Sequence, residues 1–319
     1  MTQVRNYAAK AAKDIKKYYL TPFSKNIVGE EGFILLRYIH YMLSKAVHFV
    51  IPDGGTLFND NLRGLRNQEL HLPYPAITVE TNLKMEGGEK IEVLTLAVET
   101  SQSLVDYCVK CGWKETKDAK ISQAILFFAM YCHPKTRKHW LIMPISFRVA
   151  KNWDGGLEVK DALLKCDTHH VITYEIEAEA QRKGRTIEQQ EENFALSLVP
   201  MCRPIFELCE ALSCMNVQTE TVQKTSLRNA KRISQGKLPL FETKVLVINT
   251  NYKGSSGEQK GVGGGGGSSA IRRQHLRRGH IRFLQSNRFK NKQGQKIWVN
   301  STVVGSKNAG VINKQYEVR

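Results

Sequence analysis

Between Gln259 and Tyr316 the chain has no Asp and no Glu. A metal centre built on clustered carboxylates is therefore excluded from that span, with Glu317 the nearest acid downstream. No run of eighteen consecutive apolar residues occurs, so no membrane-spanning helix is expected. Met1 to Leu20 is basic and amphipathic. It lacks an apolar central stretch and a small-residue cleavage site, and does not read as a secretory signal. There is no G-x-S-x-G, dinucleotide fingerprint, P-loop or H-E-x-x-H. The seven cysteines are odd in number, which points to free buried thiols in a reducing, cytoplasmic setting. Cys108-Val109-Lys110-Cys111 is a lone C-x-x-C. Zinc needs four ligands, and Cys132, His133 and Cys166 join it only through tertiary folding. No cofactor is expected.

What is abundant is positive charge. The formal net charge is +17, and the acid-free span holds twelve of the lysines and arginines. Five arginines and two histidines fall between Arg272 and Arg282. Such density repels itself unless an anion answers it. Arginine's planar fork suits phosphate better than lysine does. The candidate anion-binding residues are Arg272, Arg273, His275, Arg277, Arg278, His280, Arg282, Lys296 and Trp298. A solvated basic tail is the plain alternative. Alternation argues for a folded strand, with Arg278, His280 and Arg282 on one face and Arg277, Ile281 and Phe283 on the other.

Hydrophobic residues make up 41% of the chain, enough for a substantial core. Met1 to Tyr19 predicts a helix, wetted by its lysines and stopped by Thr21-Pro22. Glu30 to Phe49 predicts a stronger one, its apolar face running from Phe33 through Leu36, Ile39 and Leu43 to Val50. His40 and His48 then share a face, as packing histidines. From Leu72 to Phe147 the period becomes that of strands: Ala76–Glu80, Ile91–Val98, and a hairpin of Ala124–Tyr131 with Trp140–Phe147. Their nearly continuous apolar runs imply burial on both faces. Pro144 implies an edge or a bulge. Val171 to Tyr174 reads as a strand, and Glu175 to Glu192 as a loop or exposed helix start. Phe194 to Leu212 is the central helix, which Pro200 and Pro204 should kink or divide. Cys202, Cys209 and Cys214 sit there as small apolar packers. Lys224 to Lys237 is a second basic run, either facing the same anion or a plain surface helix.

The expected fold class is α+β. A mixed or antiparallel sheet packs on long helices, with a small basic β-rich module at the C-terminus. Residues 1–252 form the core domain. Residues 253–270, with an unbroken Gly263 to Gly267, form a flexible linker. Residues 271–319 form the basic module, with strands at His280–Leu284, Lys296–Val304 and Val311–Val318 and a turn at Gln293-Gly294-Gln295.

His275-Leu276-Arg277-Arg278-Gly279-His280-Ile281-Arg282, followed by a glycine turn and Ile297-Trp298-Val299, resembles the C-terminal signature of the second type V-A anti-CRISPR family. Leu72 to Glu80 is similar to that family's Leu-Pro-led strand, and Phe194 to Cys214 to its apolar helix before the linker. The resemblance implies a non-catalytic inhibitor carried by a phage or plasmid and acting in the cytoplasm of a bacterial host. It implies recognition of the nascent N-terminal polypeptide of the type V-A CRISPR effector, or of another protein, with loss of the message. The charge adds RNA or ribosome as a partner of the tail; no membrane partner is expected.

Two other functions compete. A metal-independent ribonuclease would use His275 and His280 as acid and base beside arginine clamps. Five-residue spacing puts them on opposite faces of one regular strand, unless Gly279 turns the chain. A plain nucleic-acid-binding module would stack bases on Trp298 and Phe283, residues that equally suit a small core.

Overall fold

In the computed structural model the described residues are 5–57, 71–85, 88–100, 124–133, 139–150, 167–222, 226–248, 273–277, 280–299, 302–304 and 306–311. The main chain alone is described for 31, 150, 167–169, 248, 273–277, 280, 290–291, 302–304 and 306–311. The fold is α+β. Two units divide the chain. The first is Met1–Leu57, Leu62–Glu210 and Thr219–Val245; the second is Phe58–Asn61, Ala211–Gln218 and Leu246–Arg319. The division thus assigns a short internal segment, Ala211–Gln218, to the unit that holds the basic tail. The glycine-rich stretch lies outside the described residues.

In the first unit, helix α1 (Tyr7–Asp14) runs into a wider helical turn at Ile15–Tyr19. It is not the wetted surface helix its lysines suggest. Its small side chains let the backbone come close, and Tyr7, Ala8, Ala11 and Ile15 enter the core. Thr21 does more than stop this helix. It caps the next one, α2 (Pro22–Lys45), its hydroxyl accepting from the Ser24 amide at 3.1 Å with Pro22 in the first turn. Gly29, at φ 74° and ψ 174°, interrupts α2 in a conformation that essentially only glycine adopts.

The helix expected to reach Phe49 ends at Lys45. Val47–Val50 is instead strand β1, parallel to strand β2 (Ala76–Lys84) and to strand β9 (Thr243–Ile248). Val47 and Val50 continue the helical apolar face in sequence, but their β-branched side chains suit a buried strand equally. His40 and His48 are consequently on different elements. His48 is buried. Its Nδ1 is 2.7 Å from the Thr78 hydroxyl, and its ring stacks on Phe241 at 4.7 Å.

Strands β3 (Lys90–Glu99), β4 (Ala124–Cys132), β5 (Leu141–Ile142), β6 (Ile145–Ala150), β7 (Asp167–His170) and β8 (Val217–Thr221) complete a mixed sheet. Its order is β7-β6-β4-β3-β2-β1-β9-β8, with β5 also on β4. The expected hairpin is present, β4 pairing antiparallel with both β5 and β6. Pro144 sits in the gap between those two strands, where its missing N–H breaks the ladder. Its carbonyl takes the amides of Val171 and Ile172, at 2.7 and 3.1 Å. That turn fixes the next element. Residues 171–174 are not a strand: β7 ends at His170 and helix α3 (Thr173–Lys183) starts.

Both faces of β4 are buried. Leu126, Phe128 and Met130 join α1 and α2 in one apolar cluster. Phe127, on the other face, stacks on Phe206 at 5.1 Å. Phe206 belongs to helix α4 (Ile187–Leu212), which starts within the stretch expected as a loop or helix start. It runs through Pro200 and Pro204 without being divided. Between those prolines the Thr95 hydroxyl donates to the Met201 carbonyl at 2.5 Å, tying helix to sheet. A carboxylate governs the opposite layer. Glu80, buried on β2, accepts the Ala8 amide at 3.0 Å and so caps α1. Burial pushes its carboxyl above the ordinary range, with the Ala8 and Tyr7 amides opposing.

Burial also pulls His48 from 6.5 down to about 4. A folded pKa below the unfolded one gives stability that is present above pH 6.5 and is lost as pH falls towards 4. The loss is on the order of 3 kcal/mol. Urea midpoints at pH 7 and pH 4 should therefore fall further for the wild-type chain than for His48→Gln, which takes no proton.

Candidate nucleic-acid interface

The second unit contains fourteen lysines and arginines against three acids, Asp60, Glu258 and Glu317. It contains a hairpin. Strand β11 (His280–Phe283) pairs antiparallel with strand β12 (Lys296–Val299) in the register His280↔Val299, Ile281↔Trp298, Arg282↔Ile297, Phe283↔Lys296. Residues directly opposite share a face. Arg282 therefore stands on the face of Ile297, and Phe283 on the face of Lys296 and Trp298.

The connection carries a 3-10 turn at Asn287–Lys292 and is closed by hydrogen bonds. The Leu284 amide donates to the Gln295 carbonyl, and the Gly294 amide to the Leu284 carbonyl, both at 2.9 Å. Gln293 Nε2 donates to Asn287 Oδ1 at 2.9 Å and to the Gln285 carbonyl at 3.1 Å. Gly294 has φ 82°, the left-handed conformation that the expected turn needs. Leu284 is buried and anchors the loop.

Arg282 and Arg288 are exposed, and both guanidinium groups lie by one ring, 5.5 and 4.8 Å from the Phe289 centroid. No carboxylate among the described residues pairs with either arginine. Lys296 differs from them. It is only 5% exposed, its ammonium 5.1 Å from the Phe283 centroid. Trp298 is half-buried. Its main chain is clasped by the Asn216 amide, which donates to the Trp298 carbonyl and accepts from the Trp298 N–H, both at 2.7 Å. The Met215 amide donates to the Lys296 carbonyl at 3.1 Å. Ala211–Gln218 is thus bound to β12, a long-range pairing that no local pattern announces.

The rest of the arginine run belongs to another sheet. Strand β10 (Arg273–Arg277) lies between strands β13 (Thr302–Val304) and β14 (Ser306–Val311). It is antiparallel to the first and parallel to the second, with a register shift between Arg273 and Gln274. Arg273, His275 and Arg277 take alternate positions along β10. Arg272 and Arg278 lie outside the described residues. The single strand expected through Arg277 and His280 is therefore two strands. His275 is on β10 and His280 on β11, so the objection that one regular strand would put them on opposite faces no longer applies. Arg288 and Phe289 stand outside the candidate set drawn from the sequence. Their signal was an Arg-Phe pair six residues after Arg282, inside a stretch that reads as a polar turn.

The other basic run forms helix α5 (Ser226–Ser234) of the first unit. It is held by Asn229, which donates to the Leu240 carbonyl and accepts the Leu240 amide, both at 2.8 Å. Arg232 Nε donates to the Leu238 carbonyl at 2.8 Å, while Arg228 and Lys231 are exposed. Cys108, Cys111 and Cys166 lie outside the described residues. Among the described residues no group of three His, Cys, Asp or Glu is placed to hold a metal. Cys202 and Cys214 are buried. Burial, with Glu210 adding to it, pushes the Cys209 thiol up to about 12 and holds it neutral. No described helix is long and apolar enough to cross a membrane.

Comparison with protein-family models, with curated proteins and with solved structures returned no match.

The clasp on Trp298 is testable alone. Asn216→Ala removes both bonds and leaves two main-chain groups to find new partners. It should destabilise the second unit by about 1–3 kcal/mol. The expected signature is faster amide exchange at Trp298, with the exchange of β4 amides unchanged.

Proposed function

We propose that this chain is a non-catalytic inhibitor that recognises a target polypeptide during its synthesis and lowers its production through the message. In this reading the second unit meets RNA or the ribosome. One observation carries the RNA part. The unit has fourteen basic residues against three acids, and Arg282 and Arg288 project from a closed hairpin with no carboxylate partner among the described residues. The Phe289 ring offsets only part of the repulsion between two guanidinium groups held close together; an incoming phosphate supplies the opposite charge. The target-polypeptide part is supported by the likeness of His275 to Arg282 to the anti-CRISPR signature. The proposed target is the type V-A effector nuclease.

The ribonuclease reading is the alternative: His275 and His280 stand on separate strands, so the objection from one regular strand does not apply to them, and the incubation below decides between the two. The test is direct. Binding of labelled RNA should weaken linearly on a log–log salt plot. Arg282→Gln with Arg288→Gln should flatten that slope by roughly 1.4, two phosphate contacts on a single strand being lost. The RNA should stay intact during incubation; turnover abolished by His280→Ala would overturn the non-catalytic reading. In bacteria expressing the type V-A effector, the effector message should fall in sequencing when this chain is present. An unchanged message would overturn the proposed target.

A further inference from the structure

We infer that the β11–β12 hairpin takes RNA as a single strand, with Phe283 as the surface on which a base stacks; this rests on the RNA-binding reading above. In an RNA duplex every base has its π-faces inside the stack. The duplex offers a protein phosphates, 2′-hydroxyls and base edges. A basic surface serves duplex and single strand alike. An exposed aromatic ring beside cations serves only a strand whose bases are free to leave the stack.

The hairpin has that second arrangement. Leu284 is buried and anchors the connection, yet its neighbour Phe283 is 36% exposed. The Lys296 ammonium lies by the Phe283 ring and makes it a cation-bearing platform. Arg282 follows from the other face of the same strand and, with Arg288, flanks Phe289. Stacking surface and phosphate donors are thus adjacent in one short hairpin. The geometry is also set in advance. Four hydrogen bonds close the connection, and the two at Asn216 fix the main chain of β12. A platform ordered before binding loses little entropy when a strand arrives.

The experiment compares an oligouridine, which does not pair with itself, with an RNA duplex of equal nucleotide number, using the full chain at one salt concentration. The oligouridine should bind more tightly. Phe283→Leu keeps an apolar side chain and removes the ring, so oligouridine binding should weaken roughly 5- to 150-fold, the range for one stacked base. Duplex affinity and the salt slope should not move, because no charge is lost. Phe283→Trp should retain binding, and matched thermal midpoints would exclude misfolding of either variant. Equal affinity for the two RNAs, or an oligouridine affinity indifferent to Phe283→Leu, overturns the stacking site. If salt-dependent binding persists in that case, the electrostatic reading survives it. If neither RNA binds, both readings fall together.

Discussion

Strands β3 and β4 have no face that water can wet. Leu94, Leu96, Leu126, Phe128 and Met130 point one way, and Val93, Ala97, Phe127 and Ala129 the other, and all are buried. Leaving either face open would expose several large apolar side chains, each worth about 1.5–3 kcal/mol when buried. The sheet therefore needs a helical layer on both sides, and the rest of the first unit follows. The N-terminal helices cover one face and α4 covers the other. The alanines of α1 become explicable, since small side chains let that helix lie close. So does the unusual buried carboxylate at Glu80, which accepts an amide at the first turn of α1 and fixes where the helix begins.

The second unit lives under the opposite constraint. Its described buried apolar residues are few, Ala211, Cys214, Val217 and Leu284, with Ile281, Phe289, Ile297, Trp298 and Val299 among the half-buried ones. Order there comes from hydrogen bonds as much as from a core. The side-chain amides of Asn216 and Gln293 and the strand ladders hold short strands that burial alone would not. This explains how so strongly basic a stretch adopts strands at all. Among the described residues it leaves Arg282 and Arg288 exposed.

Much of this was legible locally. The two-sided runs at 91–98 and 124–131, the turn at Gly294 and the break at Pro144 follow from side-chain period and from the chemistry of glycine and proline. Two of the misreadings share one cause. Val47 to Val50 fits the helical face that precedes it, and Val171 to Tyr174 has β-branched residues, yet the first is a strand and the second opens a helix. In each case a short apolar run is compatible with both periods, and the decision fell to distant partners, β2 and β9 for β1 and the Pro144 carbonyl for residues 171 and 172. The site was half legible. The density of arginine and the absence of acid are properties of composition, readable without the fold. Its division between two sheets, and the roles of Phe289 and Asn216, were not.

What the sequence determined by itself is therefore the α+β class, the doubly buried strands and the stretch in which basic residues concentrate, because period and composition act within a few residues. What only the tertiary structure decided is which cations face solvent and which are put to structural use. Arg282 is exposed while Lys296, fourteen positions later on the paired strand, is buried beside Phe283. Both are equally charged in the sequence. Their difference arises from strand register, and register is set by contacts between residues far apart in the chain.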